Sequence, residues 1–473
     1  MNKRLIVVTA IGLALLAAGL RFYRLGAWPF FGDELATFNE ARAFLADSPD
    51  QEESQITRIS RLIPVSYLVH NAGYTLFGRD EFGSRAMMAL LGTLQVIVVF
   101  AGLIGPLGCP TALASALLLA VWPEHIYQSQ QNRFYMTAAF FSSLSMLAGA
   151  WAVKRRSLLL TTLACLAAFA AILSHTLQGV ALGGLFGSML LATLACRQPV
   201  PRGPLFVVAG AGAVAGGFLV LYLLPRVRGW NAGEGWGAGA GHSLLASIYE
   251  LGWPVTLLAG FGAVSVVRQR DNQAWYWLTW AVLWAAASLL LPFVVVYHPA
   301  YVFPLTLGAI VLAGYGGGQI YTHLHRHAPI LGVAWIGVIA ALNLPSLLSH
   351  YSDGSRHDYR VAAQYIENHW QQGDQVAAVA PGALRRYAEI CQDAVSLRTW
   401  DPLPDLKELS LSPRRLWIVI PSDRPGKPEP LRRWLGLNCS QQLEIKPRRF
   451  DYRENTVEVY LFSPQAVATA NRN

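Results

Sequence analysis

The chain of 473 residues is 53% hydrophobic and only 14% charged, with a mean hydropathy of +0.35. Soluble proteins carry about a quarter charged residues, so one large water-soluble domain is excluded, and many membrane crossings with a smaller soluble portion are expected. The formal net charge of +9 does not call for nucleic acid, because Lys and Arg collect in cytoplasmic loops of membrane proteins, and the five cysteines lack the close-spaced pairs of a zinc finger.

Leu5 to Leu20 is apolar and follows the basic start Lys3-Arg4. It is longer than the apolar core of a cleavable signal and further spans follow it, so it is expected as a retained first helix. Arg21, Arg24, Trp28 and Phe30 mark the interface. Phe31-Gly32-Asp33-Glu34-Leu35 then places two adjacent carboxylates at the membrane edge. Such a pair reads as chemistry aimed at a lipid-borne substrate. It reads equally as an N-cap, Asp33, with Glu34 in the first turn of an amphipathic helix whose apolar face is Leu35, Phe38, Ala41, Phe44 and Leu45.

Asp47 to Arg61 is too polar for a bilayer core, and Ile63 to Phe77, interrupted by Pro64, His70 and Asn71, predicts a second helix at the interface. Further spans are expected at Ser84 to Ile104, Thr111 to Trp122, Met136 to Val153, Leu158 to Leu173 and Leu177 to Ala195. The series continues with Leu205 to Leu224, Leu251 to Val267, Ala274 to Leu291, Tyr301 to Gly318 and Ile330 to Leu344, about 11 spans in all. A Gly- and Trp-rich loop, Arg226 to His242, interrupts the series.

Under this alternation Lys3/Arg4, Lys154 to Arg156, Arg197/Arg202, Arg268/Arg270 and Arg326 share one side, the cytoplasm by the positive-inside tendency. The carboxylate pair, Arg133, His175, His298 and the C-terminus then lie outside, as expected of an integral protein of a bacterial inner (plasma) membrane. Arg21, Arg24, Arg85 and Arg133 run against the trend at outer membrane ends, which suits an anionic lipid headgroup. His323, His325 and His327 alternate like a metal tract but fall in a basic cytoplasmic loop, where they tune surface charge. No metal ligand set is predicted.

From about Ser352 the composition becomes that of a soluble domain. The chain therefore divides into a membrane domain, 1–350, whose first outer loop is 21–83, and an extracytoplasmic α/β domain, 351–473. An amphipathic helix is predicted over Asp358 to Trp370, with strands at Gln375 to Ala380, Leu416 to Ile420 and Thr456 to Phe462. Cys391 and Cys439, the two cysteines of this domain, are a possible disulfide pair in an oxidising compartment. Cys109, Cys165 and Cys196 lie in or near spans as inert packing residues.

Several segments, taken in order, resemble the polytopic GT-C glycosyltransferases. The similarity is to the branch of the dolichyl-phosphate-mannose protein mannosyltransferases and the bacterial lipid A aminoarabinose transferase. They are Arg21-Phe22-Tyr23-Arg24-Leu25-Gly26, Gly32-Asp33-Glu34, Pro64-Val65-Ser66-Tyr67-Leu68, Leu76-Phe77-Gly78, Glu81-Phe82-Gly83-Ser84-Arg85 and Ser129-Gln130-Gln131-Asn132-Arg133-Phe134-Tyr135. They cover roughly the first 150 residues, and the start of the outer domain, Asp358-Tyr359-Arg360 to Gly373-Asp374, is also similar. Two positions depart from the family pattern. Gln130-Gln131-Asn132-Arg133 stands where Gln-Glu-Ala-Arg is frequent, and Ala300-Tyr301 where Arg-Tyr is frequent, which leaves His298 to substitute for a phosphate contact.

The resemblance implies transfer of a sugar from a polyprenyl-phosphate carrier to an acceptor hydroxyl at the outer membrane face, with inversion. The acceptor would be a glycolipid, a polysaccharide or a protein. Asp33 would be the general base and Glu34 a supporting, acceptor-positioning carboxylate. Arg133, Arg85, Arg24 and His298 would bind the donor phosphate, and Tyr135 and Gln130 would contact substrate. Arginines alone can neutralise a monophosphate leaving group, so the chemistry requires no cofactor and does not call for a divalent metal. The rival class is a polytopic lipid or glycolipid transporter or flippase. The charges here gather at one membrane face, whereas a transporter places them at the midplane between inverted repeats.

Overall fold

The computed structural model describes residues 3–46, 64–175, 178, 180–198, 200–223, 240–293, 299–354, 356–398, 401–422, 429–446 and 456–464. The expected polar stretch from Asp47 to Arg61, most of the Gly- and Trp-rich loop and His298 lie outside these residues. The chain divides into two compact units, Met1–Leu25 with Phe38–Leu347, and Gly26–Thr37 with Leu348–Asn473.

The first unit is helical. Its helices are α1 (Lys3–Phe22), the latter part of α2 (Gly32–Ala46), α3 (Pro64–Phe77), α4 (Glu81–Leu107), α5 (Cys109–Val121), α6 (Pro123–Ser129), α7 (Tyr135–Arg155) and α8 (Leu158–Ile172). They continue with α9 (Val180–Ala195), α10 (Arg202–Gly217), α11 (Ala240–Leu251), α12 (Trp253–Gln269), α13 (Asn272–Leu290), α14 (Leu307–His327) and α15 (Pro329–Ala341), and α16 (Leu344–Asp353) begins here. Among the described residues six helical stretches, the last of them Pro329–Ser352 across α15 and α16, are long and apolar enough to cross a membrane, or seven if α11 and α12, bent by 97° at Gly252, form one broken span. This is an integral membrane protein. Three further expected spans hold shorter apolar helices, α5, α8 and α9.

Local chemistry sets the helix ends. Asp80 caps α4 by accepting the Gly83 N–H at 2.7 Å, and Gly108, at φ 82°, separates α4 from α5 in a conformation that a side chain would oppose. Small residues bring backbones close: a Cβ added to Gly314 of α14 would lie 2.6 Å from the Ser115 nitrogen of α5. Close approach of this kind is how helices pack where water supplies no driving force. Of the apolar face expected on α2, Phe38 and Ala41 are buried and Leu45 is exposed.

The second unit is a five-stranded sheet with the order β2-β1-β3-β5-β4. The strands are β1 (Gln375–Ala378), β2 (Val395–Ser396), β3 (Leu416–Ser422), β4 (Cys439–Ile445) and β5 (Thr456–Phe462). β2, β1 and β3 run parallel, while β5 is antiparallel to β3 and to β4. Helix α17 (Tyr359–Asn368) starts where the pattern placed it, with Asp358 Oδ1 accepting the Val361 N–H at 3.0 Å. Alternation along the strands builds two cores. Val376, Ala378, Trp417, Val419, Val457 and Val459 pack on one face, and Ala377, Leu416, Ile418, Ile420 and Phe462 on the other.

That alternation corrects the cysteine expectation. Cys391 belongs to the first core and Cys439 packs against the second, so the sheet separates them, and both are free thiols. The His323 tract also changes place: it forms the last turn of α14, where His325 stacks on Tyr321 and His323 faces His327, so the three imidazoles do not converge.

Candidate functional site

The expected site residues are divided between the units. Asp33 and Glu34 belong to the second, and Arg133, Tyr135, Gln130, Arg85 and Arg24 to the first.

In the second unit α2 begins at Gly32, with the Leu35 N–H bonded to the Phe31 carbonyl. Asp33 therefore lies inside the first turn and is not the N-cap, which corrects that alternative. Its carboxylate is exposed at the positive end of the helix, where an anion is favoured. Its carbonyl accepts from Thr37 Oγ1 at 3.0 Å. Glu34 is fully buried and forms an ion pair with Arg356 Nη1 at 3.5 Å. The residues around the pair are held by the same domain. The Phe30 N–H donates to the Tyr387 hydroxyl at 2.6 Å, Arg386 stacks over Phe30 at 4.5 Å, and Arg360 reaches the Ala27 carbonyl at 3.4 Å. Arg356 was not anticipated from the sequence. Its one signal is its place four residues after Ser352, where the composition turns polar.

In the first unit two of the expected arginines, Arg21 and Arg85, serve the backbone. Arg21 is fully buried and donates to the carbonyls of Ala17, Ala120 and Leu119 at 3.1, 3.2 and 3.1 Å, with His125 Nδ1 at 2.6 Å. Arg85 is fully buried and donates to the Leu25 carbonyl at 3.1 Å. Gln130 Nε2 lies 3.3, 3.1 and 3.1 Å from the carbonyls of Leu20, Arg21 and Tyr23. Arg85 and Gln130 are thus engaged with backbone carbonyls at and beyond the C-terminal end of α1, and Arg21 with two carbonyls in the last turn of α5, groups a helix leaves without intrahelical donors. Arg24 is exposed in the turn after α1, at φ 55°.

Arg133 differs. Half-buried, its guanidinium lies 4.5 Å from the Phe134 ring centre and 5.6 Å from that of Tyr135. Those rings continue into a cluster: His175 lies 5.0 Å from Phe134 and 5.6 Å from Tyr135, and Tyr301 lies 5.8 Å from His175 and 6.4 Å from Tyr135. Gln178 fixes this wall by donating to the Tyr301 carbonyl at 3.3 Å. Stacking on an aromatic face fixes the plane of a guanidinium.

Helix α3 supplies the neighbouring polar groups. It is anchored to the end of α8 by the Val65 N–H to Leu173 carbonyl bond at 3.1 Å and by Ser66 Oγ to the Ser174 carbonyl at 3.1 Å. Tyr67 donates to Glu40 Oε2 at 2.7 Å, and Tyr74 donates to Asn132 Oδ1 at 2.9 Å. Burial first, and then the Glu40 charge, push the Tyr67 phenol above its ordinary range, so it remains a donor. Glu40 is a carboxylate the sequence reading did not single out, although Tyr67 lies in a segment it did.

The fold that holds these residues is shared with an ArnT and an oligosaccharyltransferase of known structure. No family model matches the chain, and no curated protein does. Among solved structures, ArnT from Cupriavidus metallidurans in the apo state is 17% identical, covers 98% of both chains and gives a TM-score of 0.57. The same protein bound to undecaprenyl phosphate gives 16% identity, 97% coverage of both and a TM-score of 0.56. The apo oligosaccharyltransferase from Archaeoglobus fulgidus is 11% identical over 89% of this chain and 70% of that one, with a TM-score of 0.58. At such identities the likeness is one of fold.

Proposed function

We propose that this chain is a glycosyltransferase that moves a sugar from a polyprenyl-phosphate donor to an acceptor hydroxyl at the outer face of a bacterial inner membrane, with inversion. The observation that carries this reading is the end-to-end match, both units included, to a protein whose structure was solved with undecaprenyl phosphate. The arrangement of about 11 spans, with the second unit outside the cytoplasm, is part of the same proposal and rests on the distribution of Lys and Arg.

In this reading Asp33 accepts the proton of the acceptor hydroxyl as its oxygen attacks the anomeric carbon, and the carbon–phosphate oxygen bond breaks. Arg133, held on its aromatic wall, stabilises the charge that develops on the departing polyprenyl phosphate. Arg24, exposed next to α1, and His298 are further phosphate contacts. Tyr135 lines the sugar-facing wall with His175 and Tyr301. Exposure of the Asp33 carboxylate supports its role, because a base must reach substrate.

The test is direct. Detergent-purified protein is incubated with labelled undecaprenyl-phosphoryl hexoses and pentoses and an acceptor mixture from envelope extract. Release of undecaprenyl phosphate with loss of the labelled sugar is the expected result. Intact donor moved unchanged across a vesicle bilayer would instead indicate the transporter class.

A further inference from the structure

The segment with Asp33 is built into the C-terminal unit, although more than 300 residues separate them in the chain (Glu34 and Arg356 are 322 apart). Its contacts run the length of the segment. Arg360 binds the Ala27 carbonyl, Tyr387 binds the Phe30 N–H, Arg386 covers the Phe30 ring, and His357 lies 6.3 Å from the Phe31 ring. A Cβ on Gly32 would meet Ala380 at 3.3 Å. At the centre lies the Glu34–Arg356 pair, whose side chains are 0% and 1% exposed. A buried ion pair adds little to stability over apolar packing, because desolvation offsets the attraction. What it supplies is direction, since one geometry satisfies both charges. Glu34 is the residue immediately after Asp33, so the rotation of the first turn of α2, and with it the direction of the Asp33 carboxylate, is set by where Arg356 holds Glu34.

We propose that Arg356 is a positioning residue for Asp33, acting through Glu34, and that the C-terminal unit is therefore an integral part of the catalytic apparatus. The proposal rests on the assignment of Asp33 as general base, but the two fail in different ways. Misplacing a reacting group by about 1 Å costs on the order of a hundredfold in rate.

The experiment uses the full-length protein. Undecaprenyl phosphate affinity, turnover of labelled undecaprenyl-phosphoryl sugars and hydrogen–deuterium exchange of the peptide spanning 27–37 are measured for Arg356→Met, Arg356→Lys and the double variant Glu34→Met/Arg356→Met. The double variant guards against misfolding, because replacing both charges by apolar groups leaves neither one buried alone. Expected are a roughly hundredfold loss of turnover in Arg356→Met and the double variant, unchanged undecaprenyl phosphate affinity, faster exchange over 27–37 and partial rescue by Arg356→Lys. In an Asp33→Asn background Arg356→Met removes nothing further, since its effect passes through Asp33. Unaltered exchange and turnover in a folded double variant overturn the proposal. So does a loss that is the same size in the Asp33→Asn background. If Asp33→Asn itself turns over normally, the base assignment falls, and exchange over 27–37 alone decides the positioning role.

Discussion

The Tyr67 hydroxyl donates to Glu40 Oε2 at 2.7 Å, joining the latter part of α2 to α3 inside the first unit. Asn71 reinforces the junction by binding the Ala41 carbonyl at 2.5 Å, and Phe44 stacks on the Tyr67 ring at 5.8 Å. A hydrogen bond to a charged acceptor contributes about 1.5–3 kcal/mol. Tyr67→Phe is expected to lower the unfolding temperature of the purified protein, with Glu40→Gln milder because an amide oxygen still accepts. Intrinsic tryptophan fluorescence on heating checks this, and an unshifted transition in Tyr67→Phe contradicts it.

Arg85 and Arg133 should respond differently to removal. Arg85→Met leaves the Leu25 carbonyl without its donor and removes a fully buried side chain, so folded yield should fall. The folded fraction should still bind undecaprenyl phosphate normally. Arg133→Ala should fold normally and bind undecaprenyl phosphate at least tenfold more weakly, as expected for loss of a charge-assisted contact of about 1.5–3 kcal/mol. Gln130→Ala should follow Arg85→Met. Equal loss of affinity in all three would contradict this division.

Burial is the main cause that pushes the Cys391 thiol up to about 11 and the Cys439 thiol up to about 12. The folded chain keeps these protons to higher pH than the unfolded chain, whose thiols ionise near about 8.5. Their contribution to stability is full below that value and is lost as pH rises towards the folded values. At pH near 8 iodoacetamide should therefore leave both cysteines unmodified in folded protein and alkylate both after denaturation without reductant. Mass spectrometry showing them joined, or rapid labelling in the folded state, contradicts the two-core arrangement.

Orientation is checked with reporters at the C-terminus. A phosphatase that needs export should be active there, and a fluorescent protein that matures only in the cytoplasm should be dark. The reverse pattern contradicts the eleven-span topology.

The sequence is a good guide wherever one residue pattern dictates one structure. Apolar runs gave the helices of the membrane unit and the strands β1 and β3, alternation gave β5, and Asp358 gave the start of α17. β4 escaped notice because Cys439-Ser440-Gln441-Gln442-Leu443 mixes polar and apolar residues, and the ladder with β5 is irregular at Gln441/Leu443. At the site, position in a motif did not reveal the task of a side chain. Arg85, Gln130 and Arg133 sit in similar motifs, yet two hold backbone carbonyls and one rests on aromatic rings, a difference set by packing between distant segments. Arg356 escaped for the same reason, since its partner lies 322 residues away.

The central claim is that Asp33 is the general base, and Asp33→Asn tests it most directly. Asparagine keeps the shape and most hydrogen bonds of aspartate but cannot accept the acceptor's proton. With protein shown to be folded and to bind undecaprenyl phosphate as tightly as wild type, turnover of the labelled donor should fall by about a hundredfold to ten-thousandfold. Turnover close to wild type in that protein would contradict the assignment.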